Sequence, residues 1–419
     1  MADENGMSRR DFLRSAGVAA LAGAAWVGSR KGYAQNDTLK AGLIGCGGRG
    51  QSAVRQWLEA SENVTVIALA DLFEDRVKRC RDGLVGDKGI RIPDEMCFTG
   101  FDCYQRLIET DVDVVLSAST PYFRQFEFPA AIEAGKHVFM EKPIAVDPVG
   151  AKRIAAAAVL ADQKGLNVVV GTQRRHEANY LECKKRVDDG AIGDLIGARA
   201  YWVGGPLGGW ERTDKPPTVG EQIRSWQHFY WLSGDHIVEQ HVHNIDACLW
   251  FLGKTPVSAL GMGFRGRKTF GDSYDFFAVD FDMGNGVGMQ SLCRQIAGCD
   301  GDVSDWVIGT KGYANCWGHI YDASGNHVWG HDGNRRDPYV QEHADLANAI
   351  RGGAHVNNAT DVVKSCIAAI MGRTSAYTGK RVSYDQIADA GWQWGPKEDL
   401  TVDLPYDSGP VPVPGVTTY

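Results

Sequence analysis

An apolar run, a glycine-rich turn and a helix-compatible stretch follow one another between residues 39 and 60, and no other feature constrains the fold as strongly. Leu39 to Ile44 reads as a strand, Gly45-Cys46-Gly47-Gly48-Arg49-Gly50 fits G-x-G-x-x-G, and Gln51 to Ala60 suits a helix. The glycines serve different ends. The first permits the tight turn, the second admits a phosphate to the backbone, and the third lets helix and strand touch. Unpaired N–H groups and the dipole at the helix start favour an anion there. Glycines alone are a weak signal, but strand, turn and helix in this order are the required context. The segment therefore predicts a cradle for a dinucleotide's pyrophosphate on Gly45, Gly47, Gly48, Arg49 and Gly50.

The following residues extend the pattern. A second strand, Val64 to Ala70, ends at Asp71, near the usual distance for an acid that accepts from the 2′-hydroxyl of the adenosine ribose. A carboxylate there repels a 2′-phosphate, which favours NAD over NADP and leaves NADP possible. A strand from Val112 to Ala118 ends in Ser119-Thr120-Pro121. A helix near Gln125 to Ala134 leads to a further strand, Lys136 to Met140, which ends at Glu141-Lys142-Pro143. Alternating strands and helices of this kind make a parallel sheet with crossover helices. Ligands of such sheets gather at the carboxyl ends of the strands, where Ser119, Thr120, Pro121, Glu141 and Lys142 fall. Pro143 biases Lys142 toward an extended backbone. A partly desolvated lysine there can exchange a proton with a substrate hydroxyl, although local chemistry alone leaves Lys142 an ordinary solvated side chain.

Composition narrows the partners. Net charge is −8 over 419 residues, which excludes nucleic acid as a main partner because phosphate neutralisation needs a basic surface. Ten cysteines are scattered without a C-x-x-C pair, so buried free thiols are expected rather than a disulfide scaffold or a zinc ribbon. At the N-terminus, Ser8-Arg9-Arg10-Asp11-Phe12-Leu13-Arg14 precedes an uncharged stretch from Ser15 to Ser29. This is a basic region followed by an apolar one, and the paired arginines match a twin-arginine export signal. Residues 1–34 are accordingly expected to be a signal peptide with cleavage after Ala34, a periplasmic or extracytoplasmic destination and no membrane anchor in the mature form. Because that route moves folded proteins, a dinucleotide would be loaded before export and held tightly.

The segments GLIGCGGRG, ALAD, AIEAGKHVFMEKPIA, VVVGTQRRH and EQHVHNIDACLWFLG, spread from residue 42 to 253, resemble the glucose–fructose oxidoreductase, inositol dehydrogenase and rhizopine-catabolism (Gfo/Idh/MocA) family. The resemblance implies an N-terminal Rossmann domain, a C-terminal α/β domain with an open, mostly antiparallel sheet, and homo-oligomers formed through that sheet. It places the lysine of the EKP element, Lys142, beside the nicotinamide and substrate. It also implies a catalytic group of Glu239, His243 and Asp246, with His243 the general acid/base and Asp246 either orienting it or structural. On one helix, i, i+4 and i+7 share a face, so one cleft can receive all three. Glu239 stands where an aspartate is usual, and His241 where a glycine is common. A metal site at Glu239, His241 and His243 is disfavoured on a helix, which turns the two imidazoles about 200° apart; no metal is expected. The region Gln173-Arg174-Arg175-His176 borders cofactor and substrate in the family, with Gln173 toward the cofactor and Arg175 or His176 toward a sugar hydroxyl. The aromatic stretch around Trp226 and His228 suits either a sugar-stacking wall or core.

The expected domains are residues 38–147 for the dinucleotide and 148–400 for substrate and oligomerisation, with 401–419 as an extended or disordered tail. Strands are expected at Ala259–Phe264, Phe276–Asp282, Gly286–Cys293 and Val303–Gly309, and helices at Tyr339–Arg351 and Ala359–Tyr377. The function implied is hydride transfer between a small carbohydrate or polyol hydroxyl and a tightly held NAD. Two alternatives stay open at this point: a redox-neutral NAD-dependent glycoside hydrolase, and a non-catalytic dinucleotide-binding protein.

Overall fold

A computed structural model describes residues 32–34, 36–206, 218–268, 270–333 and 336–419. The twin-arginine segment lies outside the described residues. In chain order the first unit comprises β1 (Leu39–Ile44), α1 (Gly48–Ala60), β2 (Val64–Asp71), α2 (Glu74–Lys88), β3 (Cys97–Thr99), α3 (Cys103–Ile108), β4 (Val114–Ser117), α4 (Arg124–Glu133), β5 (His137–Met140), α5 (Pro148–Lys164) and β6 (Val168–Val170). Its six strands are parallel, in the order β3-β2-β1-β4-β5-β6. β4, β5 and β6 are almost wholly apolar and buried, as strands covered by helices on both faces must be. The sheet therefore runs on to Val170, past the expected boundary at residue 147. The physical reason is local: Asp147 caps α5 by accepting from the Gly150 N–H at 2.7 Å, Pro148 opens the helix and Gly165 closes it. This helix is one more crossover, and it delivers β6 to the edge beside β5.

The second unit adds α6 (Ala178–Asp188), β7 (Leu195–Gly204), α7 (Val219–Arg224), α8 (Tyr230–Ser233), α9 (His236–Glu239), α10 (Val242–Leu252), β8 (Ser258–Phe264), β9 (Phe276–Asp282), β10 (Gly288–Gln295), β11 (Asp302–Gly309), β12 (Gly312–Asn315), β13 (His319–Asp322), β14 (His327–Gly330), α11 (Pro338–Ile350), α12 (Ala359–Thr378), β15 (Val382–Ser383) and α13 (Tyr384–Ala388). Among the described residues its nine strands run in the order β14-β13-β12-β11-β7-β10-β9-β8-β15, with β7 and β10 the one parallel pair. β8 and β9 alternate buried and outward residues, the pattern of a sheet with one face packed and one open. α12 is buried nearly all round because it is sandwiched between the inner face of this sheet and α5 of the first unit. With α11, whose Leu346, Ala347 and Ile350 enter the core of the first unit, it joins the two.

The C-terminal tail, with turns at residues 402–403 and 414–416, is pinned along its length rather than loose. Val219 and Gly220 donate to the carbonyls of Leu404 and Val402, Tyr230 to that of Ser408, and Tyr274 to that of Pro412. Eight of the ten free cysteines are buried, Cys97 is partly so and Cys299 is exposed. No described helix is long and apolar enough to cross a membrane.

Candidate active site

A cavity of about 930 Å³ lies between the carboxyl ends of the parallel strands and the second unit, within the range of roughly 300–1,000 Å³ usual for small-molecule sites. Its floor is the glycine turn. Gly45 holds φ +93, and a Cβ there would lie 2.5 Å from the Ala118 and Ser119 backbone; one on Gly50 would lie 1.8 Å from the Gly45 carbonyl. These two positions keep helix, strand and turn in contact. A Cβ on Gly47 or Gly48 would meet nothing within 4 Å. That open backbone, at the N-terminus of α1, fits the pyrophosphate of a dinucleotide.

Asp71 lines the cavity at the end of β2. Its carboxylate accepts from the Cys46 N–H at 2.7 Å and the Phe73 N–H at 2.9 Å, and burial raises its pKa. It therefore also braces the glycine turn. Arg76 and Arg79 line the cavity beside it.

The reacting end is built from three chain segments. Ser119 and Thr120 line it after β4, Glu141 and Lys142 after β5, and Glu239, Gln240 and His243 come from the second unit. Lys142 donates through Nζ to the Glu239 carbonyl at 2.5 Å and faces the Glu239 carboxylate at 3.3 Å. His243 is 6% exposed, its ring stacks on Trp202 at 6.0 Å, and its side chain has no hydrogen-bond partner among the described residues, with Nδ1 sealed from solvent. Desolvation first, then the charges of Lys142, Arg174 and Arg49, push its pKa well below the usual histidine value. The imidazole is neutral near pH 7 and able to accept a proton.

Arg49 has a buried frame. Its guanidinium pairs with Glu141, lies 3.6 Å from Glu342 and rests over the Tyr339 ring. Glu342 is fully buried with both oxygens lacking hydrogen bonds, and desolvation, then Glu141, raises its pKa strongly. Sequence reasoning missed Glu342 and Tyr339 because they arrive from α11, some 290 positions after the glycine turn. It also missed Arg124, buried in α4, whose Nη1 donates to the Pro143 carbonyl at 2.5 Å and Nη2 to that of Ser119 at 2.6 Å. Burial lowers its pKa to about 10. Arg124 thereby ties the two strand-end turns together, and no local pattern marks it.

The structure separates other candidates from this cavity. Glu239, His243 and Asp246 do not share one helix: α9 ends at Glu239, and α10 begins at Val242. The break turns His241 into the sheet, where its Nε2 meets the Ser291 hydroxyl at 2.8 Å. Asp246 does not orient His243. Its carboxylate accepts bidentately from Arg175 at 2.8 and 2.9 Å and from the Ser365 hydroxyl at 2.7 Å. Arg175 is thus spent on Asp246 and stacked over Trp250. His176 bonds Asp345 at 2.6 Å and approaches Asn358. Neither lines the cavity. His228 packs edge-on against Phe270 outside the lining, whereas Trp226 and Gln227 form part of the wall. Trp231 in the same aromatic stretch is core. Pro121 opens a short turn behind Thr120. Gln173 faces a second cavity instead, together with Arg174 and Trp317. Among the described residues no group of His, Cys, Asp and Glu is placed to hold a metal ion.

Comparison with known proteins agrees with this geometry. The chain resembles an inositol 2-dehydrogenase of Saccharopolyspora erythraea, 31% identical over 234 residues (55% of this chain, 58% of the relative). It also resembles one of Klebsiella pneumoniae, 32% identical over 156 residues (37% of this chain, 43% of the relative). The aligned stretches thus span about half the length of these relatives. Among solved structures, an aldose-aldose oxidoreductase of Caulobacter crescentus superposes with a TM-score of 0.65 at 19% identity, covering 83% of this chain and 99% of that one. The apo scyllo-inositol dehydrogenase of Lactobacillus casei does so with a TM-score of 0.64 at 20% identity and the same coverage. Residues 39–172 match the oxidoreductase family with an NAD-binding Rossmann fold, and residues 180–315 match the C-terminal domain of the same family. With both of its domains matched in their natural order, the chain belongs to the GFO/IDH/MocA oxidoreductases, a family that binds NAD.

Proposed function

We propose that the protein oxidises or reduces a hydroxyl of a small sugar or polyol with NAD as hydride carrier. The observation that carries this reading is the meeting of Lys142, Glu239 and a neutral, unpartnered His243 in the cavity floored by the glycine turn. The names of the relatives, inositol dehydrogenases and an aldose-aldose oxidoreductase, support a polyhydroxylated substrate.

When bound, the nicotinamide supplies a two-electron acceptor for the hydride leaving the carbinol carbon. Everything else falls to side chains. His243 takes the hydroxyl proton, so the alcohol becomes a ketone or lactone while one proton leaves on the imidazole. Lys142, oriented by the Glu239 carbonyl and carboxylate, donates to the same oxygen and stabilises the negative charge that develops there. The glycine turn and Asp71 would fix the dinucleotide, and the cavity brings the reacting groups into proximity.

The twin-arginine segment supports an extracytoplasmic site of action, tested by fractionating cells that express the chain with and without Arg9→Lys and Arg10→Lys. The outward face of β8 and β9 supports self-association: Leu260, Met262 and Phe264 are exposed, with Phe276 opposite Phe264. Light scattering of the purified protein checks this; a monomer refutes it.

The test of the activity starts from the spectrum of the purified protein. Free sugars, inositols and aryl glycosides are then offered without added cofactor. Stoichiometric reduction of bound nicotinamide, halting until an acceptor sugar is added, is expected. Aglycone release without net reduction would overturn the dehydrogenase reading in favour of hydrolysis.

A further inference from the structure

The second cavity, about 420 Å³, opens between the turn after β6, α6 and the β11 and β12 strands. Its lining combines an aromatic face with planar polar groups. Trp317 is 46% exposed on a backbone that is held in place: its N–H donates to Asn315 Oδ1 at 2.8 Å, and its carbonyl accepts from the fully buried Asn179 at 2.6 Å. Val303, on the inner face of β11, is also exposed. Arg174 faces the same space. Its Nη1 donates to the buried Asp305 at 2.7 Å, which leaves the rest of a five-donor fork without a protein acceptor among the described residues. Gln173 Oε1 is buried there without a partner. An indole on a fixed backbone beside unspent planar donors and acceptors matches a pyranose, whose axial C–H face stacks while its equatorial hydroxyls hydrogen-bond.

Two links join this cavity to the reacting end. Asn244, next in sequence to His243, donates to Asp305 Oδ1 at 2.6 Å and to the Ser304 carbonyl at 3.0 Å. Val303 lies opposite Trp202 across the strand pair, and Trp202 is the ring stacked on His243. Asn244 and Trp202 thus connect the lining of the second cavity to the proposed proton acceptor.

We propose that this cavity is an outer glycosyl subsite. It takes the sugar unit adjoining the one oxidised at Lys142 and His243, which makes the substrate class a disaccharide or longer glycoside rather than a free monosaccharide or inositol. This rests on the sugar-oxidation reading given above.

The test compares maltose, cellobiose and lactose with glucose, galactose and myo-inositol on the NAD-loaded protein. The best disaccharide is expected to exceed the best single-ring substrate by tenfold or more in kcat/KM. Trp317→Ala should remove that advantage by raising KM for the disaccharide, with the kinetics on the single-ring substrate unchanged, and Trp317→Phe should restore most of it. Equal kcat/KM for one-ring and two-ring substrates, or an equal loss on both in Trp317→Ala, overturns the subsite. If no sugar reduces the cofactor, the oxidation reading fails separately. The subsite is then judged by calorimetry with maltose and cellobiose: binding that disappears in Trp317→Ala supports it, and no binding to the wild-type protein overturns it.

Discussion

Replacing Asp246 separates two roles that its position in the chain cannot distinguish. If it orients His243, removing it is a catalytic lesion; if it neutralises Arg175, the lesion is one of stability. The structure assigns the second role. Asp246 is 1% exposed, and both its oxygens are taken by Arg175 and Ser365, which joins α10 to the turn after β6 and to α12. In Asp246→Ala the guanidinium of Arg175 stays buried without its partner, a loss of about 3–5 kcal/mol. Unfolding entropy near 2.1 cal/mol/K per residue, summed over a chain of this length, is about 0.9 kcal/mol/K, so Tm should fall by ~3–6 °C. Differential scanning fluorimetry measures this, and initial rates at 20 °C on the folded variant should stay within about threefold of wild type, since losing a general base costs roughly 10²–10⁴. The pair Asp246→Leu with Arg175→Met should recover much of the stability, because replacing both charges removes the desolvation penalty. A hundredfold loss of kcat with Tm unchanged would refute the assignment and return Asp246 to the catalytic group.

The remaining predictions concern protons, cofactor and thiols. His236, His241, His243 and His343 are all buried with lowered pKa values, mainly through desolvation, and that of His241 falls to about 3. Between those values and about 6.5 the unfolded chain binds more protons than the folded one, so stability should fall as pH drops below about 6.5; urea midpoints that stay flat from pH 7 to 5 would contradict this. Asp71→Ser should reduce the preference for NAD over NADP by about tenfold, or ~1.4 kcal/mol, because Arg76 and Arg79 line the same cavity; an unchanged ratio of kcat/KM values would count against Asp71 facing the ribose. A thiol reagent should label Cys299 fastest in the native protein, and the eight buried cysteines only on unfolding.

Much of this architecture is legible in the residues, and what is hidden shares one cause. The glycine turn and Asp71 are local motifs with short-range physical requirements, and both line the cavity, whereas Lys142 stands out only through the family resemblance. β8, β9 and α12 are visible as a period of two and as an apolar run. Features that depend on distant partners are not. Val168 to Gly171 reads as a strand, as the structure has it for Val168–Val170, but its place beside β5 in the first sheet does not show until the two are paired. At the break between α9 and α10, His241 meets the hydroxyl of Ser291, 50 positions on, a partner that no local pattern marks. Arg175 and His176 resemble sugar-binding side chains, yet Asp246 and Asp345 engage them. Glu342 carries no local sign of its burial against Arg49.

The central claim is that Lys142 and His243 handle the proton of a hydroxyl whose hydride goes to the bound nicotinamide. Single-turnover reduction of that nicotinamide by the best sugar, followed in a stopped-flow instrument, tests it most directly in wild type, Lys142→Met and His243→Asn. Each variant should retain the cofactor while its reduction rate falls by about 10²–10⁴. Reduction at the wild-type rate in either variant would contradict the account, as would a purified protein that binds no nicotinamide dinucleotide.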